Sequence, residues 1–574
     1  MSSGDAIKVP LRCVRKGFDE KRGLWFSDGP GHTRSVADLS KVHSAVLSAN
    51  RLMQAAQLGV LNHFPLARIF KEFQALQSRD GSDLHGCFKW YAEEPAPEDT
   101  NAAFFIGLNL ILLRICYKQE LDPSSHKTLQ TLLEELFVWF ERESAGDSAY
   151  YPNKFMGDLV CAWLLHEELG FDSQTEILAS RMNQAADYWL ESPWGWGEHM
   201  SDIYATVMLN ELSALLLFSR LMPKALERKY QKLFLNLIAI EDAFDGGPRV
   251  PVIRGYAFDK RPIVKSFRAT VTSWKNDGEV TVDRGKHFNF GHLFHKNHWH
   301  ELAGPVQPMC EHIEIDCYRG AKARAWVTEK NRMGTLSRWP IMPDTEHANW
   351  GLSWQTMPLA FAAGEDGWGF LRWQTREGGR DRSHPARNQK AAYLNNALTD
   401  AVAPPIVGLT NTLQRGGSVC ALRRMPALSR SWEILSDELV LTGSAFSNLH
   451  TEVGPERSRL VFEVHKVPVT VFYFSMGSGL MPSLREEGGE KVWALTWSSE
   501  RLKSIERTSG VWMIAWGQKI ACSEVSIELR SAKGKGGSPT AQAEQWVLGW
   551  PTPQGRVEVV VEPQAAQPLR EAEA

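Results

Sequence analysis

The feature that most constrains this chain is a change of hydrophobic period near residue 265. From roughly residue 34 to residue 242, apolar residues recur at helical spacing, as in Phe104 to Cys116, Leu129 to Phe140, Leu159 to Leu169, Ile203 to Leu221 and Leu226 to Ile240. The breaks between these runs carry Pro, Gly, Asp and Ser, as in Leu121-Asp-Pro-Ser-Ser125 and Gly170-Phe-Asp-Ser173, and predict successive antiparallel helical hairpins. After residue 265, short β-rich runs take over, separated by Gly and Asp turns. Examples are Thr270-Val-Thr-Ser-Trp274, His312-Ile-Glu-Ile-Asp-Cys-Tyr318, Arg459-Leu-Val-Phe-Glu-Val464, Val469-Thr-Val-Phe-Tyr-Phe474 and Val557-Glu-Val-Val-Val561.

A period of 3.6 and a period of 2 bury different faces, so the two halves need different layers. The chain has 574 residues, and single cores stop growing near ~250–300, so two large domains are expected. No short repeat of fixed period is visible, which favours hairpins closed into a ring over a regular solenoid. The expected fold class is α+β multidomain: an N-terminal (α/α) incomplete toroid followed by a C-terminal antiparallel β-sandwich. The boundaries are 1–264 for the helical domain, 265–530 for the sandwich, and 531–574 for the sandwich end with a flexible loop and tail. The last part rests on the Lys, Gly, Ser and Ala of 531–545 and on the Pro, Gln, Ala and Glu that follow Glu562.

A net charge of -3 provides no global basic field, so tight binding to nucleic acid or to a membrane surface is not expected. An anionic ligand would have to meet a local basic patch. The opening Met1 to Pro10 lacks the apolar core of a signal peptide, and no later segment reads as the ~20 apolar residues of a membrane span, so a cytoplasmic protein is expected. Eight scattered cysteines without a Cys-x-x-Cys pair fit a reduced compartment. Cys310 and Cys317 bracket Glu311, His312 and Asp316, but ordinary strand residues are the better reading. In His287 to His300, a helix would let His292 and His295 reach one metal with His300 or Glu301, yet the spacing matches no closed zinc motif and a polar rim is preferred. No cofactor or metal is expected.

Two stretches carry candidate chemistry. Asp242-Ala-Phe-Asp-Gly-Gly-Pro248 stops a long helix and opens an irregular loop that carries Arg254, Tyr256 and Lys260. Nearby positive charge stabilises a phenolate, as a tyrosine acting as proton donor or base requires; the plainer alternative is a tyrosine packed between domains. In Ser192-Pro-Trp-Gly-Trp-Gly-Glu-His-Met-Ser-Asp-Ile-Tyr204, the rigid faces of Trp194 and Trp196 could stack on sugar rings. Glu198 and Asp202 are spaced i, i+4 to share one face of a first helical turn, with His199 beside them. Basic residues gather in Arg319 to Arg324, at Lys330, Arg332 and Arg338, and from Arg376 to Lys390, where a solvated strand face accounts for most of them.

On these residues the chain resembles the toroid-plus-β-sandwich polysaccharide lyases, the group of heparinase II/III-like, alginate and hyaluronate/chondroitin lyases. Trp194-Gly-Trp-Gly-Glu198 is similar to the Trp-rich loop lining their cleft, and Asp245-Gly246 with Tyr256 is similar to their catalytic-tyrosine segment. Ser431-Trp-Glu-Ile-Leu-Ser-Asp-Glu-Leu-Val-Leu-Thr-Gly443 looks like a strand pair written as Trp, an Asp-Glu-Leu-Val turn, then Gly. The resemblance implies β-elimination on a uronate-containing glycan, with an acidic oligo- or polysaccharide as partner. Tyr256 is then the acid and also the base, and His199 the carboxylate neutraliser or partner base. The family has Asn before the first Trp where this chain has Pro193, so His199 or Asn153, in Tyr150-Tyr-Pro-Asn153, must replace it. Arg332 completes the site from the strand-rich half, and Trp194, Trp196, Glu198, Arg254, His347 and Trp350 are implied as substrate contacts. The rival readings are a glycoside hydrolase using Glu198 or Asp202 with Asp245, whose carboxyls would stand roughly 5–9.5 Å apart, and a carbohydrate-binding protein without catalysis.

Overall fold

The computed structural model describes residues 11–12, 14–30, 33, 35–149, 151–191, 198–245, 247–252, 267, 299–317, 320–339, 359–363, 369–377, 380–381, 409–424, 434–454, 457–476, 480–498, 509–531, 544–552, 555–563, 565 and 568–572. The Thr270 to Trp274 run and the His287 to His298 cluster lie outside them. The chain divides into two compact units. The first comprises Met1–Gly247, Val264–Pro308 and Gln389–Leu394; the second comprises Pro248–Ile263, Met309–Asn388 and Asn395–Ala574. The described secondary structure is α+β: long helices in the first unit and several antiparallel sheets in the second.

The helices of the first unit are α1 (Ala45–Gln57), α2 (Leu66–Leu76), α3 (Ala102–Tyr117), α4 (Pro123–Glu143), α5 (Pro152–Leu169), α6 (Thr175–Glu191), α7 (Asp202–Phe218) and α8 (Lys224–Ala243). They sort by composition into two kinds. In α3 every residue from Ala102 to Leu113 is buried, and α5 and α7 are likewise apolar around most of their circumference. In α4 only one stripe is buried, including Leu129, Leu132, Leu133, Leu136 and Phe140, while charged residues fill the other side. A helix apolar all round needs cover on several sides, whereas an amphipathic helix needs it on one. Accordingly α1, α3, α5 and α7 pack in succession, with the amphipathic helices outside them: α2 on α4, α4 on α3 and α5, and α8 on α6 and α7. Ala102–Glu120 is long and apolar enough to cross a membrane by length and composition, although most of its residues are buried within this unit.

Caps fix where helices begin. Asp122 accepts from the Ser124 and Ser125 amides ahead of α4, with Pro123 at its first position, and Ser201 accepts from Tyr204 N–H ahead of α7. Close approach fixes one contact: Gly157 on α5 faces the Phe104 ring and the Glu211 carboxyl, at 2.7 and 2.8 Å from where a Cβ would stand, so only glycine fits. At its far end α8 stops at Ala243, followed by Asp245 with φ 48°, a left-handed residue that breaks the helix as the Asp-Gly-Gly-Pro sequence predicts.

The first unit also carries a small antiparallel sheet of Phe18–Asp19 (β1), Leu24–Ser27 (β2) and Val42–Ser44 (β3), and among the described residues the second unit holds three antiparallel sheets. In the largest, the path runs from Ser483–Glu487 (β17) through Glu490–Ser498 (β18), Ile434–Gly443 (β13), Gly369–Glu377 (β9), Leu359–Ala363 (β8), Asn331–Leu336 (β6) and Lys322–Val327 (β5) to His312–Asp316 (β4), with Arg380–Asp381 (β10) beside β9. The next runs from Phe446–Val453 (β14) through Arg457–Val464 (β15), Val467–Met476 (β16), Ser509–Trp516 (β19), Ser418–Arg424 (β12) and Leu409–Arg415 (β11) to Arg338–Trp339 (β7). Both contribute to one core, in which Leu439, Leu441, Trp493 and Leu495 meet Leu460, Val471, Trp512 and Ile514. The third sheet, Ser526–Ser531 (β20), Glu544–Thr552 (β21), Gly555–Val561 (β22) and Leu569–Glu571 (β23), covers the other face of the second through Leu548, Trp550 and Val559 against Leu422, Phe474 and Met513.

Two local expectations are corrected. Asp437-Glu438-Leu439-Val440 is no turn: it lies in the middle of β13, ten residues long, and the chain reverses only after Gly443. Two acidic residues hold strand geometry there because each has a cation. Asp437 points into the shared core, where the Arg423 Nε donates to it at 3.0 Å, and Glu438 on the opposite face pairs with Arg485. The stretch after Glu562 is also no frayed end, since β23 pairs with β22 and Glu571 forms an ion pair with Arg415.

Candidate functional site

Three of the candidate residues come together in the helical unit. Pro152 occupies the first position of α5 and places Asn153 in its first turn, where N–H groups lack intrahelical acceptors. The Asn153 backbone N–H donates to Glu198 Oε2 at 3.1 Å, and its side-chain Nδ2 donates to Oε1 at 2.7 Å and to Oε2 at 2.8 Å. An acceptor-only carboxylate thus meets three donor contacts at a helix start, the end that favours negative charge. Asn153 is 1% exposed, and Glu198 and His199 are 0% exposed.

Glu198, His199 and Met200 form a short 3₁₀ turn of their own. Ser201 follows in extended conformation, donates its N–H to the Glu198 carbonyl at 2.9 Å, and caps α7. Glu198 and Asp202 therefore do not share the first turn of one helix. The Ser201 cap separates them, a signal that the i, i+4 spacing alone hides.

Near this turn lie buried ionisable side chains outside the candidate set drawn from the sequence. Glu211 on α7 is 1% exposed and packs against Gly157. Burial raises its pKa well above the ordinary carboxylate range, and the nearby Asp158 and Glu198 charges add to the shift. Burial also raises Asp158 to about 6, opposed by the Lys154 ammonium, which it meets at 2.6 Å. Lys154 bonds Glu143 at 2.8 Å as well; burial opposes its charge, but the two carboxylates outweigh this and raise its pKa. The available signal was a lone charge inside an apolar helical run, as Glu211 is between Leu209 and Leu212.

In the sheet unit Arg332 sits on β6, 7% exposed, opposite Val327 of β5 and Ala362 of β8. Two residues along, Gly334 lies flat against the Val250–Pro251 peptide, which a Cβ would overlap. The strand carrying Arg332 therefore touches the segment that leads toward Tyr256. Tyr256, Arg254, Trp194, Trp196, His347 and Trp350 themselves lie outside the described residues. Asp245 is described and exposed at the end of α8. Arg324 and Lys322 are spent on Glu314 across β4 and β5, as a solvated strand face would have them. Cys310 is exposed and Cys317 buried, with its thiol raised to about 12 by burial, and among the described residues no three His, Cys, Asp or Glu side chains are grouped to hold a metal.

No protein-family model matches this chain, and no curated protein sequence matches it. Among solved structures, the crystal structure of heparinase III aligns over 98% of this chain and 91% of that one, with a TM-score of 0.49 and 9% identity.

Proposed function

We propose that this chain is a polysaccharide lyase that cleaves a uronate-containing glycan by β-elimination, its helical unit an incomplete (α/α) toroid and its two larger sheets a β-sandwich. The observation that carries the reading is the hydrogen bonding of Asn153 to Glu198, the neighbour of His199 in sequence, which joins two stretches 45 residues apart. In this reading Trp194 and Trp196 stack on the sugar rings, and Arg254, His347 and Trp350 contact the acidic oligosaccharide. His199 is the donor to the uronate carboxylate, where charge develops as the α-proton leaves and where preorganised donors contribute most. Tyr256 removes that proton and returns one to the leaving oxygen, so the product carries a C4–C5 double bond.

A glycoside hydrolase built on Glu198 would need that carboxyl to act on a glycosidic oxygen or a water. Both Glu198 oxygens are instead engaged by Asn153, which favours the lyase. The experiment is incubation with uronate-containing oligosaccharides, read in the near ultraviolet for the conjugated enoate and separately for reducing ends. Enoate formation that Tyr256→Phe abolishes, with substrate binding retained, is the expected result. Reducing ends without the ultraviolet band would establish hydrolysis, and neither signal would leave a binding protein.

A further inference from the structure

We propose that Asn153 and Glu198 do not contact the substrate but are positioning residues that hold His199, which leaves His199 as the carboxylate neutraliser contributed by the helical unit. This rests on the lyase reading for the role of His199 and on geometry for the rest. The Asn153 amide, the group that could have neutralised a uronate, is directed at both oxygens of Glu198. Those same bonds occupy the Glu198 carboxylate. What the pair fixes is the three-residue turn on which His199 sits in the middle.

That turn is held at both ends. On one side the Glu198 side chain is tied to the first turn of α5, and on the other the Ser201 N–H closes onto the Glu198 carbonyl while Ser201 caps α7. His199, buried between these anchors, has its backbone held from two helices rather than from a long loop. Such support matters because a displacement of about 1 Å at a reacting group can cost on the order of 100-fold in rate.

The test exchanges donor and acceptor. Asn153→Asp places two carboxylates face to face, Glu198→Gln removes the charge that the amide grips, and the double variant N153D/E198Q restores one donor opposite one acceptor with the polarity reversed. In the full chain each single variant is expected to lower kcat on the order of 100-fold while KM stays within about twofold, the pattern of a lost transition-state contact. The double variant is expected to recover most of that rate, and the pH profile of kcat should move in the singles and return in the double. A double variant no better than the worse single, at wild-type thermal midpoint, would overturn the proposal. So would an Asn153→Asp enzyme with raised KM and unchanged kcat, because Asn153 would then bind substrate directly. If Asn153→Asp does not fold, the milder Glu198→Gln carries the comparison with the double variant. Should the wild type release no unsaturated product, the lyase reading fails on its own account. The His199 ring resonance, observed by selective labelling, then decides the positioning: it should shift in Glu198→Gln and return in the double variant, and an unmoved resonance refutes it.

Discussion

Glu211→Gln should stabilise this protein at neutral pH, and by an amount that grows with pH. Glu211 is buried against Gly157, and neither of its carboxyl oxygens has a hydrogen-bond partner among the described residues. Its pKa is well above the ordinary range because burial disfavours the charged form, and Asp158 and Glu198 reinforce this. In the unfolded chain it titrates near ~4.3. Below that pH both states hold the proton and the group contributes no pH dependence. As pH rises, the unfolded chain releases the proton while the folded chain retains it, so folding loses about 1.4 kcal/mol per pH unit until the raised folded value is reached. Glutamine copies the neutral acid in shape and charge, which leaves Asp158 in the same surroundings and removes only this slope. The assay is urea unfolding of both proteins at pH 4, 5, 6 and 7, followed by far-ultraviolet circular dichroism. The curves should coincide within about 0.5 kcal/mol at the lowest pH and then diverge, with the variant more stable, at about 1.4 kcal/mol per unit. Parallel curves, or a variant that loses stability as pH rises, would refute a neutral buried Glu211.

Other outcomes follow from single contacts. Asp437→Asn removes the carboxylate charge that meets the buried Arg423 guanidinium, and equilibrium unfolding should show a loss of about 3–5 kcal/mol. Gly334→Ala drives a methyl into the Val250–Pro251 peptide and should cost about 1–3 kcal/mol of stability. If the lyase reading holds, the same variant should also lower turnover, because the displaced segment leads to Tyr256; unchanged kcat would separate that segment from the chemistry. Glu94, raised to about 7 by burial, has the same sign as Glu211, so Glu94→Gln should flatten the fall in stability between about pH 4.3 and 7, as read from thermal midpoints across that range.

The helices were legible because their burial follows their own local period. Leu129 to Phe140 announces an amphipathic helix, and Phe104 to Leu113, apolar throughout, announces one covered on several sides. Elements whose geometry depends on a distant partner are not legible in the local sequence. The resemblance implies a turn at Asp437 and Glu438, but Arg423 and Arg485 supply counter-charges from other strands that hold both residues within β13. Leu569 to Glu571 read as frayed from composition, while the pairing with β22 and the contact with Arg415 cannot be seen in the local sequence. The site shows the same division. Asn153, Glu198 and His199 were each identifiable by residue type, but the Asn153–Glu198 bonds span 45 positions, and the Ser201 cap outweighs the apparent i, i+4 relation of Glu198 and Asp202.

The middle sheet of the second unit has a consequence for how its sequence tolerates change. Along β12, Val419 and Ala421 enter one core while Cys420 and Leu422 enter the other, and along β19 Trp512 and Ile514 alternate with Val511 and Met513 in the same way. A strand with one wet face accepts polar replacements at every second position, as the alternating burial of β5 allows. In a saturation library β5 should therefore show an alternating stripe of neutral positions at Lys322, Arg324 and Trp326. Across β12 and β19 that stripe should vanish, since each residue there answers to one interior or the other.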